Sequence, residues 1–293
     1  MSQFARTNTL YGYAFITPQI IGLACFTLFP ILMSFYLTMT QWDFIDKPEF
    51  IGLRNFKYVF RDEVFGMTIT NTLVLVAVIV PLTMVISLGL AIATNKKIKG
   101  LNVYKSIFFL PNITTIVAMA LVWYWLFAAD FGIINQVLEG LGIKGPGWLA
   151  DPKWSKVAVS IMNAWRMMGY YYLIFLAGLK GIPESYYEAS RIDGANRFQV
   201  FRHITLPLLS PTTFFILITM LISVFNIFEE PFILTRGGPN YSTYTLSMYI
   251  YFKAFKSFEM GEAAVASLVL FIIMSIVTCI NFKISKKWVN YVE

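Results

Sequence analysis

The chain has 293 residues, of which 57% are hydrophobic and 13% are charged, and its formal net charge at pH 7 is +7. A soluble domain carries about twice that charged fraction, so the composition excludes an ordinary soluble protein. The basic residues are not interleaved with aromatic residues as in a nucleic-acid site, and we interpret the positive charge as matched to anionic lipid rather than to nucleic acid.

Long runs without Asp, Glu, Lys or Arg define the predicted membrane-spanning helices. A span needs about 20 mostly apolar residues, and backbone groups in lipid must be satisfied within the segment, which favours helices. Arg166 alone interrupts the run 157–179, and the other runs are free of charge. We therefore predict an all-α polytopic membrane protein, with residues 1–293 forming a single domain. The six predicted transmembrane helices lie at about 12–38, 68–93, 106–128, 157–179, 211–235 and 263–282.

Six spans place both termini on the same side of the membrane. Lysines cluster directly beside span ends, where positive charge marks the cytoplasmic side. These clusters are Lys96, Lys97, Lys99 and Lys105, and then Lys283, Lys286 and Lys287. We predict that both termini are cytoplasmic, which also places the polar connection at about 181–207 in the cytoplasm.

That connection is predicted to form two short helices joined by a glycine. Pro183 and Glu184 are typical of a helix start, and Gly194 supplies a positive-φ residue at the helix end. Asn196 can cap a second helix over Arg197–Ile204. Local physics leaves two interpretations open, namely an amphipathic segment re-entering the bilayer or a surface on which a partner docks.

Polar groups inside predicted spans are costly and indicate either a pathway or a packing network. Three fall in the fourth span and three in the fifth: Asn163, Trp165, Arg166, Asn226, Glu229 and Glu230. Arg166 and one of the two glutamates have comparable predicted depths, so we expect an ion pair. Whether this pair contacts a substrate or only locks two helices stays open. An amide and an aromatic face suit a sugar, which favours Asn163 and Trp165 as substrate contacts. Trp123 is interpreted as an interfacial residue.

No signature of enzyme chemistry is seen. The sequence has no G-x-x-x-x-G-K-[S/T] phosphate loop and no H-E-x-x-H, and its two cysteines lack zinc-site spacing. The single histidine, His203, is interpreted as a surface residue. We predict no catalytic residue, no metal site and no cofactor in this chain.

The polar connection resembles the EAA loop of ABC importer permeases. Its Glu188-Ala189-Ser190 is followed by Asp193-Gly194-Ala195 and ends in Ile204-Thr205-Leu206-Pro207, with Ser190 in place of the second alanine of the family pattern. Further blocks over nearly the whole chain are similar, in the same order, to MalF-type permease subunits of carbohydrate ABC importers. They are Gly52–Phe56, Phe108–Pro111, Gly132–Asn135, Trp148–Pro152, Asn163–Trp165, Gly178–Pro183 and Leu234–Pro239.

The resemblance implies a type I importer permease fold with a cytoplasmic coupling helix, in the cell membrane of a prokaryote. It implies four kinds of partner, which are a second homologous permease, two ATPase subunits that bind ATP and Mg, an extracytoplasmic binding protein, and a sugar. The ATPase-coupling residues would be Glu188, Ala189, Ser190, Arg191, Asp193, Gly194 and Ala195. It also favours Asn163, Trp165 and Asn226 as residues that line the pathway.

A secondary transporter and a channel are the alternatives to an ATP-driven importer. An ion-coupled secondary transporter needs inverted repeats or paired broken helices with acidic residues near the midplane, and no clear internal repeat is present. A channel needs a repeated pore ring or filter motif, which is not found. The secondary transporter remains the alternative at this point.

Overall fold

The computed structural model describes residues 3–96 and 99–290, with side chains from residue 11 onwards. Lys97, one of the lysines used to predict orientation, lies outside the described residues. Two compact units separate in the structure. The first comprises the residues up to Asp62 together with Ile250–Val269, and the second comprises Glu63–Tyr249 and the residues from Leu270. The single domain over 1–293 stays a prediction.

The first unit begins with a long apolar helix and continues into a small hairpin. Helix α1 (Gln3–Leu23) passes through a π-helical turn (Ala24–Leu28) into α2 (Phe29–Leu37). None of the side chains in the apolar stretch is buried within the chain, as expected of a helix that faces lipid or a partner. Strands β1 (Thr40–Gln41) and β2 (Glu49–Phe50) pair antiparallel, and helix α3 (Arg54–Arg61) follows them.

Asn55 joins helix α3 to the start of the hairpin. Its buried amide donates to the carbonyl oxygens of Thr38 and Thr40, at 3.0 and 2.8 Å. Gly261, near the start of helix α15 (Met260–Ser285), packs so closely on Asn55 and the Thr40 carbonyl that a Cβ atom would collide with both. A side chain at Gly261 would therefore separate α15 from the hairpin.

The second unit is built around two long helices, α4 (Glu63–Thr94) and α8 (Pro152–Gly181). They are cross-linked by hydrogen bonds from Ser87 Oγ to the Met168 carbonyl at 3.0 Å, and from Thr94 Oγ1 to the Tyr172 hydroxyl at 3.0 Å. Such bonds satisfy polar groups that lipid could not satisfy. The remaining helices of the unit pack around this pair.

The predicted span 106–128 is not one straight helix. Helices α5 (Leu101–Ile113) and α6 (Ile116–Leu126) meet at 96°. The break follows Pro111, and the backbone is extended at Thr114 (φ −76°, ψ 145°) and near-extended at Thr115. Pro111 itself lies inside α5, and the amide hydrogen it lacks would bond to residue 107, on the side of the proline away from the break, so the proline alone does not account for it. A broken helix at membrane depth is tolerated where protein covers it. Pro81, in contrast, lies within the continuous helix α4.

The connection from α6 to α8 is fixed by a buried amide. Trp148 Nε1 donates to Asn135 Oδ1 at 2.7 Å, and Asn135 Nδ2 donates to the carbonyls of Ala129 and Pro146 at 3.0 and 3.2 Å. Helix α7 (Ile133–Gly140) carries Asn135, and Asp151 caps α8 by accepting from the amides of Lys153 and Trp154. The sequence blocks at 132–135 and 148–152 thus have a structural role.

From Glu184 to Ser285 the chain is mostly helical. Helices α9 to α11 cover Glu184–Ile192, Arg197–Val200 and Leu206–Leu208, followed by α12 (Ser210–Phe225), α13 (Glu229–Leu234), α14 (Leu246–Phe255) and α15. The longest non-helical connection in this part of the chain lies between α13 and α14. Asn71 of α4 anchors the loop between α13 and α14 by donating to the carbonyls of Tyr241 and Tyr244, at 2.6 and 3.1 Å.

Four helical segments of the described chain are long and apolar enough to cross a membrane, and the bent α5–α6 pair makes a fifth. The four are Tyr11–Leu37, Glu63–Thr94, Ser210–Leu234 and Met260–Ser285. Helix α8 has the length, with 30 residues, but Asn163, Arg166 and Tyr170–Tyr172 lower its hydropathy. The chain is therefore a multi-pass membrane protein, and the count of six spans stays a prediction.

Candidate functional site

Helix α9 ends in a glycine turn of the kind predicted. Gly194 adopts φ +72°, its amide donates to the Arg191 carbonyl at 3.2 Å, and the Ala195 amide donates to the Ser190 carbonyl at 3.0 Å. These two bonds form a Schellman motif, in which a left-handed residue satisfies the last carbonyls of a helix. At the other end, Pro183 precedes the first helical residue Glu184 and is not itself in the helix.

The second helix begins at the predicted cap. Asn196 Oδ1 accepts from the amides of Phe198 and Gln199, both at 3.0 Å, and Gln199 Oε1 accepts from the Asn196 amide at 2.8 Å. This is a capping box, which satisfies orphan donors at both positions. The helix does not end at Ile204 as predicted, because a π-helical turn (Phe201–Thr205) carries the coil on into α11 and α12.

The α9–Gly194 turn, residues 184–195, has an exposed face and one buried side chain. Glu188, Ala189, Arg191, Asp193 and Gly194 are exposed, and the neighbouring Ile192 is 87% exposed. Ser190 is buried, and its hydroxyl donates to the Tyr187 carbonyl at 2.8 Å. An exposed apolar side chain beside small residues and acids suits close approach by a protein surface.

Polar side chains of α8 and α13 meet inside the second unit. Glu230 Oε1 accepts from Arg166 Nη2 at 2.8 Å, from Arg166 Nε at 3.0 Å and from Asn163 Nδ2 at 2.6 Å. Glu230 is 2% exposed, whereas the Arg166 side chain keeps 21% exposure. Three donors on one carboxylate oxygen offset much of the cost of burying the charge. The expected ion pair is present, and Glu230 rather than Glu229 forms it.

Asn163 contributes a second feature to this cluster. It is 2% exposed, and its Oδ1 is buried without a hydrogen-bond partner. Unpartnered buried acceptors are rare in folded proteins. Asn163, Arg166 and Glu230 therefore form one cluster, in which the Asn163 Oδ1 acceptor has no hydrogen-bond partner.

The other predicted pathway residues lie apart from that cluster. Trp165 is partly exposed and packs edge to face on Trp123, with ring centroids 5.5 Å apart. Asn226 is exposed at the break between α12 and α13, where its Nδ2 donates to the Ile222 carbonyl at 2.8 Å. Glu229 is exposed in the first turn of α13. Sequence reasoning missed that Trp123 supports Trp165, since only its place near the end of a predicted span was visible.

A separate charged cluster lies within the first unit. Lys253 Nζ donates to Glu259 Oε2 at 2.7 Å and lies 2.8 Å from Glu262 Oε2. Partial burial lowers the pKa of Lys253, but the hydrogen bonds and charges of the two glutamates outweigh burial and raise the pKa above its usual value. These residues line an open cleft of about 580 Å³ together with Trp42, Tyr58 and Arg61.

Comparison with known proteins places the chain among transport proteins. Residues 84–290 match the family model described as the binding-protein-dependent transport system inner membrane component. The probable ABC transporter permease protein YesP of Bacillus subtilis (strain 168) is 40% identical over 295 residues, covering 99% of this chain and 95% of that protein. The lactose transport system permease protein LacF of Rhizobium radiobacter is 34% identical over 288 residues, covering 96% of each chain.

The fold agrees with the sequence matches. A chain in the crystal structure of a bacterial ABC transporter involved in the import of the acidic polysaccharide alginate superposes with a TM-score of 0.81 and 25% identity, covering 96% of both chains. None of these matches supports an ion-coupled secondary transporter. The family match, two relatives at 34% and 40% identity, and this superposition agree: the chain belongs to the family of binding-protein-dependent transport system inner membrane components.

Proposed function

We propose that the chain is the membrane-spanning permease subunit of an ATP-driven sugar importer. The observation that best supports this proposal is the exposed α9–Gly194 turn. It occurs in a chain that aligns over 96% of its length with a lactose transport system permease protein. A relative from Thermococcus litoralis, 30% identical over 274 residues, is a trehalose/maltose permease. The energy would come from ATP hydrolysed by separate subunits, so this chain is itself a transport component and not an enzyme.

The proposed complex contains two permeases and two ATPases. This chain pairs with a second, homologous permease to form the pathway, and each permease contacts one ATPase. An extracytoplasmic binding protein delivers the sugar, as the description of the family implies. Both termini lie in the cytoplasm, and ATP and Mg bind only to the ATPase subunits.

The α9–Gly194 turn is the proposed coupling element. Glu188, Arg191 and Asp193 on its exposed face would contact an ATPase surface, while small Ala189, Gly194 and Ala195 permit close approach. Ser190 is buried on the other face of α9, where its hydroxyl donates within the helix to the Tyr187 carbonyl. Closure of the ATPases would then move this turn, and with it the long helices α8 and α12 that flank the connection.

The pathway residues take two proposed roles. Trp165, Asn226 and Glu229 are accessible and could contact sugar hydroxyls and CH faces directly. Asn163, Arg166 and Glu230 join α8 to α13 and hold the pathway wall. Arg166 retains exposure, so its guanidinium can face the pathway while Glu230 orients it.

The first test is purification of the complex from membranes with the unaltered chain and with Gly194→Val. A β-branched residue resists φ +72°, and such strain costs about 1–3 kcal/mol, so the turn should deform and the ATPase should be lost or uncoupled. Gly140→Val is the matched control, because its Cβ also meets open space but its φ is not in the left-handed region.

We expect the unaltered chain and Gly140→Val to co-purify with an ATPase and a second permease. ATP-dependent uptake of labelled lactose or maltose into proteoliposomes, with the binding protein present, then tests the sugar. A chain that purifies alone and transports without ATP would overturn the proposal. Normal ATPase-coupled uptake by Gly194→Val would remove the turn from the coupling mechanism.

A further inference from the structure

A cleft lies between the end of α4, the end of α8 and the two helices that flank Gly194. Its volume is about 530 Å³. Its lining residues come from the ends of α4 and α8 and from both sides of Gly194. All these residues belong to the second unit. The cleft therefore touches both a membrane-spanning helix and the proposed coupling element.

The charged residues that line this cleft are all positive. Lys96, Arg191 and Arg197 line it, and no Asp or Glu is among its lining residues. All three cations are exposed, and within residues 11–96 and 99–290 none forms an ion pair with a carboxylate. Three uncompensated cations around one cavity attract an anion with several acceptor oxygens.

The rest of the wall is mixed, with polar groups from Asn95, Tyr187, Ser190 and Thr205 beside an apolar part. Ile92, Leu179, Val200 and Phe201 contribute hydrocarbon to the same cavity. Ile92 is in the last turn of α4 and Leu179 in the last turn of α8, where those long helices leave the membrane in the proposed topology. A free phosphate has no hydrocarbon that could pack against these apolar side chains. An anionic lipid carries both a charged headgroup and a hydrocarbon chain.

We propose that this cleft binds the phosphate headgroup of an anionic phospholipid. Lys96 and Arg197 contact the phosphate oxygens, and the apolar part of the wall contacts the first part of an acyl chain. Arg191, which belongs to the proposed coupling surface, adds positive charge to the cleft. Basic pockets beside membrane helices on the cytoplasmic side are suited to such headgroups. Because Lys96 follows α4 and Arg197 begins α10 directly after the Gly194 turn, one lipid links the membrane helix to the coupling turn. The proposal needs the membrane location but not the identity of the cargo.

The test measures lipid binding to the intact purified importer in detergent by native mass spectrometry. The probes are dioleoyl phosphatidylglycerol, dioleoyl phosphatidylcholine with the same acyl chains, and inorganic phosphate as competitor. Each cation near an anionic headgroup contributes about fivefold in affinity. Lys96→Gln and Arg197→Gln should each weaken phosphatidylglycerol binding about fivefold, and the double variant about 25-fold.

Arg202→Gln is the matched control, since Arg202 is an exposed cation on the same helical run that does not line the cleft. It should change the affinity less than twofold. Support requires preference for phosphatidylglycerol over phosphatidylcholine by the unaltered protein, loss in the two cleft variants, and no competition by millimolar phosphate.

Three results would overturn the proposal. Equal binding of the two lipids by the unaltered protein removes the headgroup preference, whatever the variants do. Full competition by inorganic phosphate assigns the cleft to a free anion. Binding that appears only after the ATPases are stripped away shows that a partner protein covers the cleft. None of these outcomes depends on whether the importer carries sugar.

Discussion

Glu230→Gln tests whether the buried cluster between α8 and α13 supports the fold. In the unaltered protein Glu230 Oε1 accepts three hydrogen bonds from Arg166 and Asn163. The substitution keeps the size of the side chain but removes its negative charge. The Arg166 guanidinium then has no counter-charge at 2.8 Å. Leaving one member of a buried pair uncompensated is strongly destabilising.

The magnitude follows from the burial of the two partners. Breaking a fully buried pair costs about 3–5 kcal/mol. Arg166 is 21% exposed and keeps some hydration, and the Gln amide oxygen can still accept, so we expect a loss of about 2–3 kcal/mol. At roughly 2–4 °C per kcal/mol, the melting temperature should fall by about 4–12 °C.

Thermal unfolding of the purified complex checks this loss, with Glu229→Gln as the control. Glu229 carries the same charge one residue away but is exposed, so its substitution should stay within about 0.5 kcal/mol. The double variant Arg166→Gln/Glu230→Gln should cost less than the sum of the two single changes, because the uncompensated charge is gone. Equal melting temperatures for Glu229→Gln and Glu230→Gln would refute the reasoning.

Two further predictions concern packing and capping. Gly169→Ala should destabilise the protein by about 1–3 kcal/mol, because its Cβ would collide with the Phe108 carbonyl of α5. Gly66→Ala in α4, where the Cβ meets open space, should instead stabilise the protein by up to about 1 kcal/mol in the same melting assay, because alanine favours the helix. Asn196→Ala should cost about 1 kcal/mol and speed hydrogen exchange at the Phe198 and Gln199 amides, and unchanged exchange at both would contradict the capping box.

Local features of the chain could be predicted because their partners are close in sequence. The Gly194 turn and the Asn196 cap depend on groups within five residues, so residue type alone indicated them, and the structure has both. Pro111 lies inside the predicted span 106–128, where a proline favours a kink or a broken end. The 96° angle, however, depends on what packs against α5 and α6.

The sequence could not predict which glutamate joins the cluster with Asn163 and Arg166. Comparable helix depth predicted an ion pair between Arg166 and either Glu229 or Glu230, but depth does not distinguish adjacent residues. Their side chains point in different directions from the start of α13, and only packing against α8 decides that Glu230 is buried. The same packing buries Asn163, which the sequence had favoured as a sugar contact.

Hydropathy, charge and ordered motifs by themselves determined that this is a helical membrane protein of the importer permease class. Hydropathy and charge are additive along the chain, since each residue contributes its own transfer free energy to a span, whereas the importer class came from the resemblance of the ordered motifs. Tertiary structure alone decided which polar groups meet, as between Asn163 and Glu230, 67 positions apart. It also decided that Lys96 joins Arg191 and Arg197 around one cleft, because contacts over such separations depend on how helices pack rather than on their composition.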